Sequence, residues 1–152
     1  MSYVVQIASE KIPAGNCLEV WEVYDHWFTD SVADEVEAAN SDDAYKALER
    51  MPGIAVKRDA DGSTRLVVED KEEFFKERHK QFLKEVEELR QMSLKDFSSG
   101  GSMQMFRLGQ LYEYDKGIYV IYGSRAMDTL DELVRYSKNG QEYWLGGALY
   151  YK

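Results

Sequence analysis

Apolar and polar positions change period several times along the chain, and each change predicts an element. Tyr3 to Ala8 (YVVQIA) is a short run of β-formers and reads as a strand. Pro13, Gly15 and Asn16 then form a turn. Beyond it Cys17, Val20, Trp21, Tyr24, Trp27, Phe28 and Val32 recur at helical spacing, and Asn16 with Glu19 has the form of a capping box. Glu19, Glu22, His26, Asp30 and Glu37 fall on the opposite side, in a stripe about 100° wide. A strand competes for this segment, because Val, Trp and Tyr favour sheets. Its alternation is poor: Leu18 and Glu22 would share one face, Glu19 and Trp21 the other. The spacing favours a helix, in one piece or in two pieces broken at Thr29-Asp30-Ser31.

Further along, SDDAYKALERMPG predicts a short helix capped by Asn40 or Ser41 and stopped by Pro52-Gly53. IAVKRDADGSTRLVV predicts a hairpin turning at Asp61-Gly62. Asp70, with Glu73 in capping-box position, opens a long helix whose buried stripe is Phe75, Phe82, Val86 and Leu89. SSGGS at 98–102 is a flexible connection. A second hairpin spans 103–123 and turns at Asp115-Lys116-Gly117. Asp128 caps a last helix reaching Lys138, Asn139-Gly140 ends it, and Tyr143 to Tyr151 closes as a strand. Helices and antiparallel hairpins alternate without repeats. The predicted class is α+β: an antiparallel sheet from two hairpins and the terminal strands, packed against one long and two or three shorter helices. The expected organisation is one domain over 1–152, with 98–102 as a candidate boundary to a minor lobe.

Composition supports a folded chain. At 152 residues it can bury roughly 70% of its unfolded surface. Eleven tyrosines and three tryptophans suit half-wet surfaces, since each has an apolar body and a polar handle. One cysteine rules out an internal disulfide and fits a reducing compartment. The opening MSYVVQIASEK lacks a basic stretch followed by a long apolar one, so no secretory signal is expected. No run approaches the roughly 20 apolar residues of a membrane span. A cytoplasmic protein is expected.

Charge changes the picture. Cys17 to Glu49 holds ten carboxylates and one cation, Lys46, so this segment alone carries the chain's net −9, and the remaining charges cancel. Elsewhere the signs mix: Lys76, Lys80 and Lys84 sit among Glu73, Glu77 and Glu88, the usual habit of a solvated helix. A carboxylate stripe resembles a run of phosphates to a basic groove. The expected function is therefore a non-enzymatic acidic binding or inhibitory protein. It presents this surface to a basic partner, in the manner of nucleic-acid mimics that block nucleic-acid-binding proteins of host defence. Glu19, Glu22, Asp30 and Glu37 are the leading contact residues, followed by His26, Asp34, Glu35, Asp42 and Asp43. Carboxylates around His26 should raise its pKa. Net −9 argues against direct binding of nucleic acid or an anionic membrane. Homo-oligomers are left open.

Two other readings stand beside this one. A small-molecule-binding or regulatory module would carry an aromatic-lined pocket, with Tyr112, Tyr114, Tyr119 and Trp144 as its walls. A metal-dependent nuclease would pair Asp59 with Glu69 and Lys71. In a hairpin, however, Asp59 lies beside the turn and Glu69 at the open end, roughly 17 Å away, too far to share a metal. DADGS puts its glycine out of register for a calcium loop. FSSGGSM has a helix before the glycines and a strand after, the reverse of a phosphate cradle. Cys17 and His26 point apart on a helix, and His79 reads as a core histidine with one hydrogen-bond partner. No catalytic residue, metal site or cofactor is expected. Gly146-Gly147 inside the last strand marks a bulge or a close backbone approach.

Overall fold

The computed structural model describes residues 2–19, 36–100, 103, 118–122 and 126–151. Strand β7 (Gln141–Tyr151) is the longest and forms the axis of a mixed sheet. Along one edge of it runs β1 (Ser2–Ala8), antiparallel, from Ser2 opposite Tyr151 to Ala8 opposite Trp144. Two shorter strands lie end to end along the other edge. β4 (Thr64–Val68) pairs with 141–145, and β2 (Val36–Ala39) pairs with 148–151. β3 (Ile54–Arg58) closes the expected hairpin on β4 around Asp61-Gly62. β5 (Ile118–Tyr122) joins β1 in parallel, and β6 (Ala126–Thr129) joins β5 antiparallel.

Four helices complete the described architecture: α1 (Ser41–Glu49), α2 (Lys71–Arg90), α3 (Leu94–Ser98) and α4 (Leu130–Tyr136). Each starts where a short polar side chain accepts an otherwise orphaned amide. Asn40 accepts from Asp42, Asp70 from Glu73, Ser93 from Asp96 and Thr129 from Glu132. The α+β class is thus present. The sheet is mixed rather than wholly antiparallel, because β1 and β5 run side by side in the same direction. The expected cap at Asp128 moves to Thr129, since Asp128 is held in the β6 ladder opposite Val120.

The two faces of the sheet follow the period-2 alternation of its strands. Val5, Ile7, Leu66, Val68, Val120 and Leu145 point toward the helices and meet Ala44, Leu48, Phe74, Leu130 and Val134 there. Val4, Val67, Ile121 and Leu149 occupy the alternate positions and are also buried. Fully burying such a side chain contributes on the order of 1.5–3 kcal/mol.

Three expectations need correction. Residues 36–39, read as the tail of a helix, form strand β2, so Glu37 is a ladder position opposite Tyr150. Ladder pairing outweighs the helical spacing there; residues 20–35 of the same prediction lie outside the described residues. On α2 the buried anchor is Phe74, with Phe75, Phe82 and Leu89 half-buried, while Val86 is exposed. His79 is exposed as well, because the inward face follows Phe74, Arg78, Gln81 and Glu85, and His79 lies one position off it. Of the first arm of the second hairpin and its turn only Met103 is described, and it is helical rather than extended; the second arm is β5.

Candidate binding cleft

Gly146 and Gly147 determine the local geometry. Val5 pairs with Ala148 and Ile7 with Leu145, so the two glycines oppose the single residue Gln6 and form a β-bulge. The close backbone approach is there too. A Cβ on Gly147 would lie 2.2 Å from the Leu18 amide nitrogen, and one on Gly146 would lie 2.5 Å from Gln6 Oε1. On the far edge of β7 these residues fall between the start of β4, Thr64 opposite Leu145, and the end of β2, Ala39 opposite Ala148, and no strand among the described residues pairs with them there. Tyr45 of α1 fills part of this break, donating its buried hydroxyl to the Gly146 carbonyl at 2.5 Å. Burial raises the Tyr45 pKa, while the neighbouring Ser41 hydroxyl pulls the other way.

The rest of the break is a cleft of about 490 Å³, within the range of small-ligand sites. Its walls are the start of α1, the turn end of the β3–β4 hairpin and the 13–16 loop. Leu145, Gly146 and Ala39 line its strand side. Arg58 and Asp42 join the hairpin wall to the helix wall at 3.1 Å, both about half exposed. The Arg58 guanidinium also lies 6.0 Å from the centre of the Tyr45 ring. Ser63 is buried against Asp61, its hydroxyl donating at 2.5 Å, and Asn16 donates to Gln6 Oε1 at 2.5 Å.

A second polar cluster lies on the opposite face. Lys11 and Arg65 flank the half-buried Trp144 ring at 5.8 and 5.6 Å. Arg65 binds Glu142 and Asp59 at 3.0 Å each, and Lys11 pairs with Asp61. The Glu142 carboxylate is the largest cause of a raised Arg65 pKa.

The residues chosen from sequence are distributed as follows. Glu19, Asp42 and Asp43 are exposed, the last two in the first turn of α1. Glu37 is in β2, and Glu22, His26, Asp30, Asp34 and Glu35 lie outside the described residues. Tyr112 and Tyr114 also lie outside them. Tyr119 is level with Val4, and Trp144 with Ala8, so these two stand roughly 13 Å apart along β1. The cleft is elsewhere. Asp59 and Glu69 lie at opposite ends of the hairpin: Asp59 bonds across the turn to Ser63, and Glu69 to Gly53 at the open end. Cys17 is exposed in an irregular segment, not on the apolar side of a helix, and its thiol lies 3.6 Å from the Gly15 carbonyl.

Arg58, Ser63, Thr64 and Asn16 escaped the sequence reading as cleft residues. The one signal for the cleft was Gly146-Gly147. Comparison with protein-family models, with curated proteins and with solved structures yields no match. No helix among the described residues is long and apolar enough to cross a membrane.

Proposed function

We propose that this chain is a non-enzymatic acidic binding protein that presents the carboxylates of 17–49 to a basic partner. The partner chemistry is that of a nucleic-acid-binding protein, whose groove the carboxylates would occupy in place of phosphates. One observation carries the reading: the entire net charge of −9 resides in this one segment, while the remaining charges cancel. A solvated face alone would be expected to mix signs, as α2 does. The exposed acids at the start of α1 support the reading. Among the described residues Asp42 and Asp43 pair with Arg58 and Lys46 in half-exposed contacts, which are worth about 0–1 kcal/mol and exchange readily. A reducing, cytoplasmic setting fits the single cysteine. Blocking of a host-defence nuclease is the role this chemistry suits best.

The test uses poly-L-lysine as a defined basic partner. Changing Glu19, Glu22, Asp30 and Glu37 to Gln or Asn keeps size and removes four charges. Association at low salt should slow by about tenfold or more. It should also weaken steeply for the parent as the Debye length falls from roughly 10 Å at 0.1 M to 3 Å at 1 M. Equal rates and affinities for parent and variant at low salt would reduce the segment to a solvated face.

A further inference from the structure

We propose that the cleft between β2 and β4 binds a neutral, polyhydroxylated ligand with the chemistry and size of a mono- or disaccharide. Charge is the first reason. Among the described residues the lining holds one cation, Arg58, and one carboxylate, Asp42, and they are paired with each other. A simple anion entering the cleft would meet Asp42, and a simple cation would meet Arg58. A neutral ligand meets neither penalty.

Hydrogen-bonding capacity is the second reason. A guanidinium has five donors and a carboxylate about four acceptor sites. The single contact between Arg58 Nη2 and Asp42 Oδ1 uses only a small part of each. Each hydroxyl of a sugar is both donor and acceptor, so two adjacent hydroxyls can accept from Arg58 and donate to Asp42 without separating the pair. Ser41 and Asn40 add further neutral polar groups on the same wall. The apolar part of the lining completes the match. Leu145, Ala39 and Tyr45 give the lining a small apolar part, which suits the C–H face of a sugar ring. The shape is set by backbone and buried groups: the glycine bulge, the Tyr45–Gly146 bond and the buried Ser63 and Thr64.

D-glucose, D-ribose and N-acetyl-D-glucosamine are suitable probes, titrated into the full chain and followed by saturation-transfer NMR. Sodium acetate and ethylammonium chloride serve as ionic competitors. At least one sugar should bind with a Kd of about 1 mM or tighter, and neither ion should displace it. The double variant Asp42→Asn with Arg58→Gln leaves net charge unchanged and should weaken binding tenfold or more. Ser41→Trp, which fills the cleft while keeping both charges of the ion pair, should abolish it and covers the case in which the double variant misfolds. The inference fails if no sugar saturates, if all variants bind like the parent, or if either ion binds more tightly than every sugar. None of these residues is altered in the poly-L-lysine experiment, so the two ideas fail separately.

Discussion

Gly147 has no room for a side chain. Its absent Cβ would sit 2.2 Å from the Leu18 nitrogen and 2.7 Å from the Cys17 carbonyl carbon, both backbone atoms that cannot move aside alone. Gly147→Ala should therefore destabilise by about 3 kcal/mol, at the upper end of overpacking. Gly146→Ala meets only the Gln6 side chain, whose amide can shift at the expense of its bond from Asn16, and should cost about 1–2 kcal/mol; urea midpoints at unchanged m-value would separate the two. The bulge and the close approach were legible in the sequence, because a glycine pair inside a strand has few other uses. The cleft beside it was not, since it depends on where β2 and β4 happen to end on β7. Asp61 offers a pH test at the same scale. Its carboxyl is held well below the usual carboxylate range, first by the hydrogen bond from Lys11 and then by the Ser63 hydroxyl and amide. A carboxyl depressed on folding contributes stability above its unfolded pKa and loses it as pH falls. Asp61→Asn keeps the acceptor for Ser63 but removes the charge. Its melting temperature should fall less steeply than the parent's between about pH 4 and pH 2, and parallel curves would show that the Lys11 contact is irrelevant to stability.

Helix α2 shows how far periodicity can be trusted. Its existence and its Asp70 cap follow from spacing, but of the stripe expected to be buried Phe75, Phe82 and Leu89 are half-buried and Val86 is exposed. Its phase does not, because the inward face includes the polar residues Arg78, Gln81 and Glu85, which a hydrophobic pattern cannot reveal. Arg78 is drawn inward by Asp131, a buried carboxylate in the first turn of α4, and it also lies over the Phe74 ring at 5.4 Å. Phe74→Ala should cost about 3–4 kcal/mol, whereas Leu83→Lys, at a site 52% exposed, should change stability by less than about 0.5 kcal/mol. Arg78→Leu leaves Asp131 buried without its partner. It should cost about 2–3 kcal/mol, and a double-mutant cycle with Asp131→Asn should recover part of the loss. If Leu83→Lys destabilises as much as Phe74→Ala, the inward face has been misplaced. Strand β2 illustrates the opposite failure: four residues carry too little pattern to announce a strand, and only the exposed edge of β7 recruits them.

At the scale of the whole molecule, the class was legible and the sheet order was not. Hairpins can be read locally, as β3–β4 was, but the parallel β1–β5 pairing joins segments remote in sequence and leaves no local mark. Charge distribution, by contrast, is fully legible, and it has a consequence for stability that is independent of any partner. Ten carboxylates with one cation over 17–49 should repel one another on folding. Added sodium chloride should screen this repulsion and raise the melting temperature between about 0.01 and 0.5 M, the range over which the Debye length shrinks most. Replacing Glu19, Glu22, Asp30 and Glu37 with Gln or Asn should raise the melting temperature at low salt and flatten the salt response. The control removes the same number of charges elsewhere, through Glu73, Glu77, Glu87 and Glu88→Gln on α2. Those carboxylates sit among cations, with Glu73 3.9 Å from Lys76 and Glu87 3.7 Å from Arg90. Their loss should leave stability unchanged or lower it by a few tenths of a kcal/mol per pair. If both fourfold variants shift the melting temperature in the same direction and by the same amount, net charge alone governs stability, and the concentration of acid in one segment has no energetic meaning.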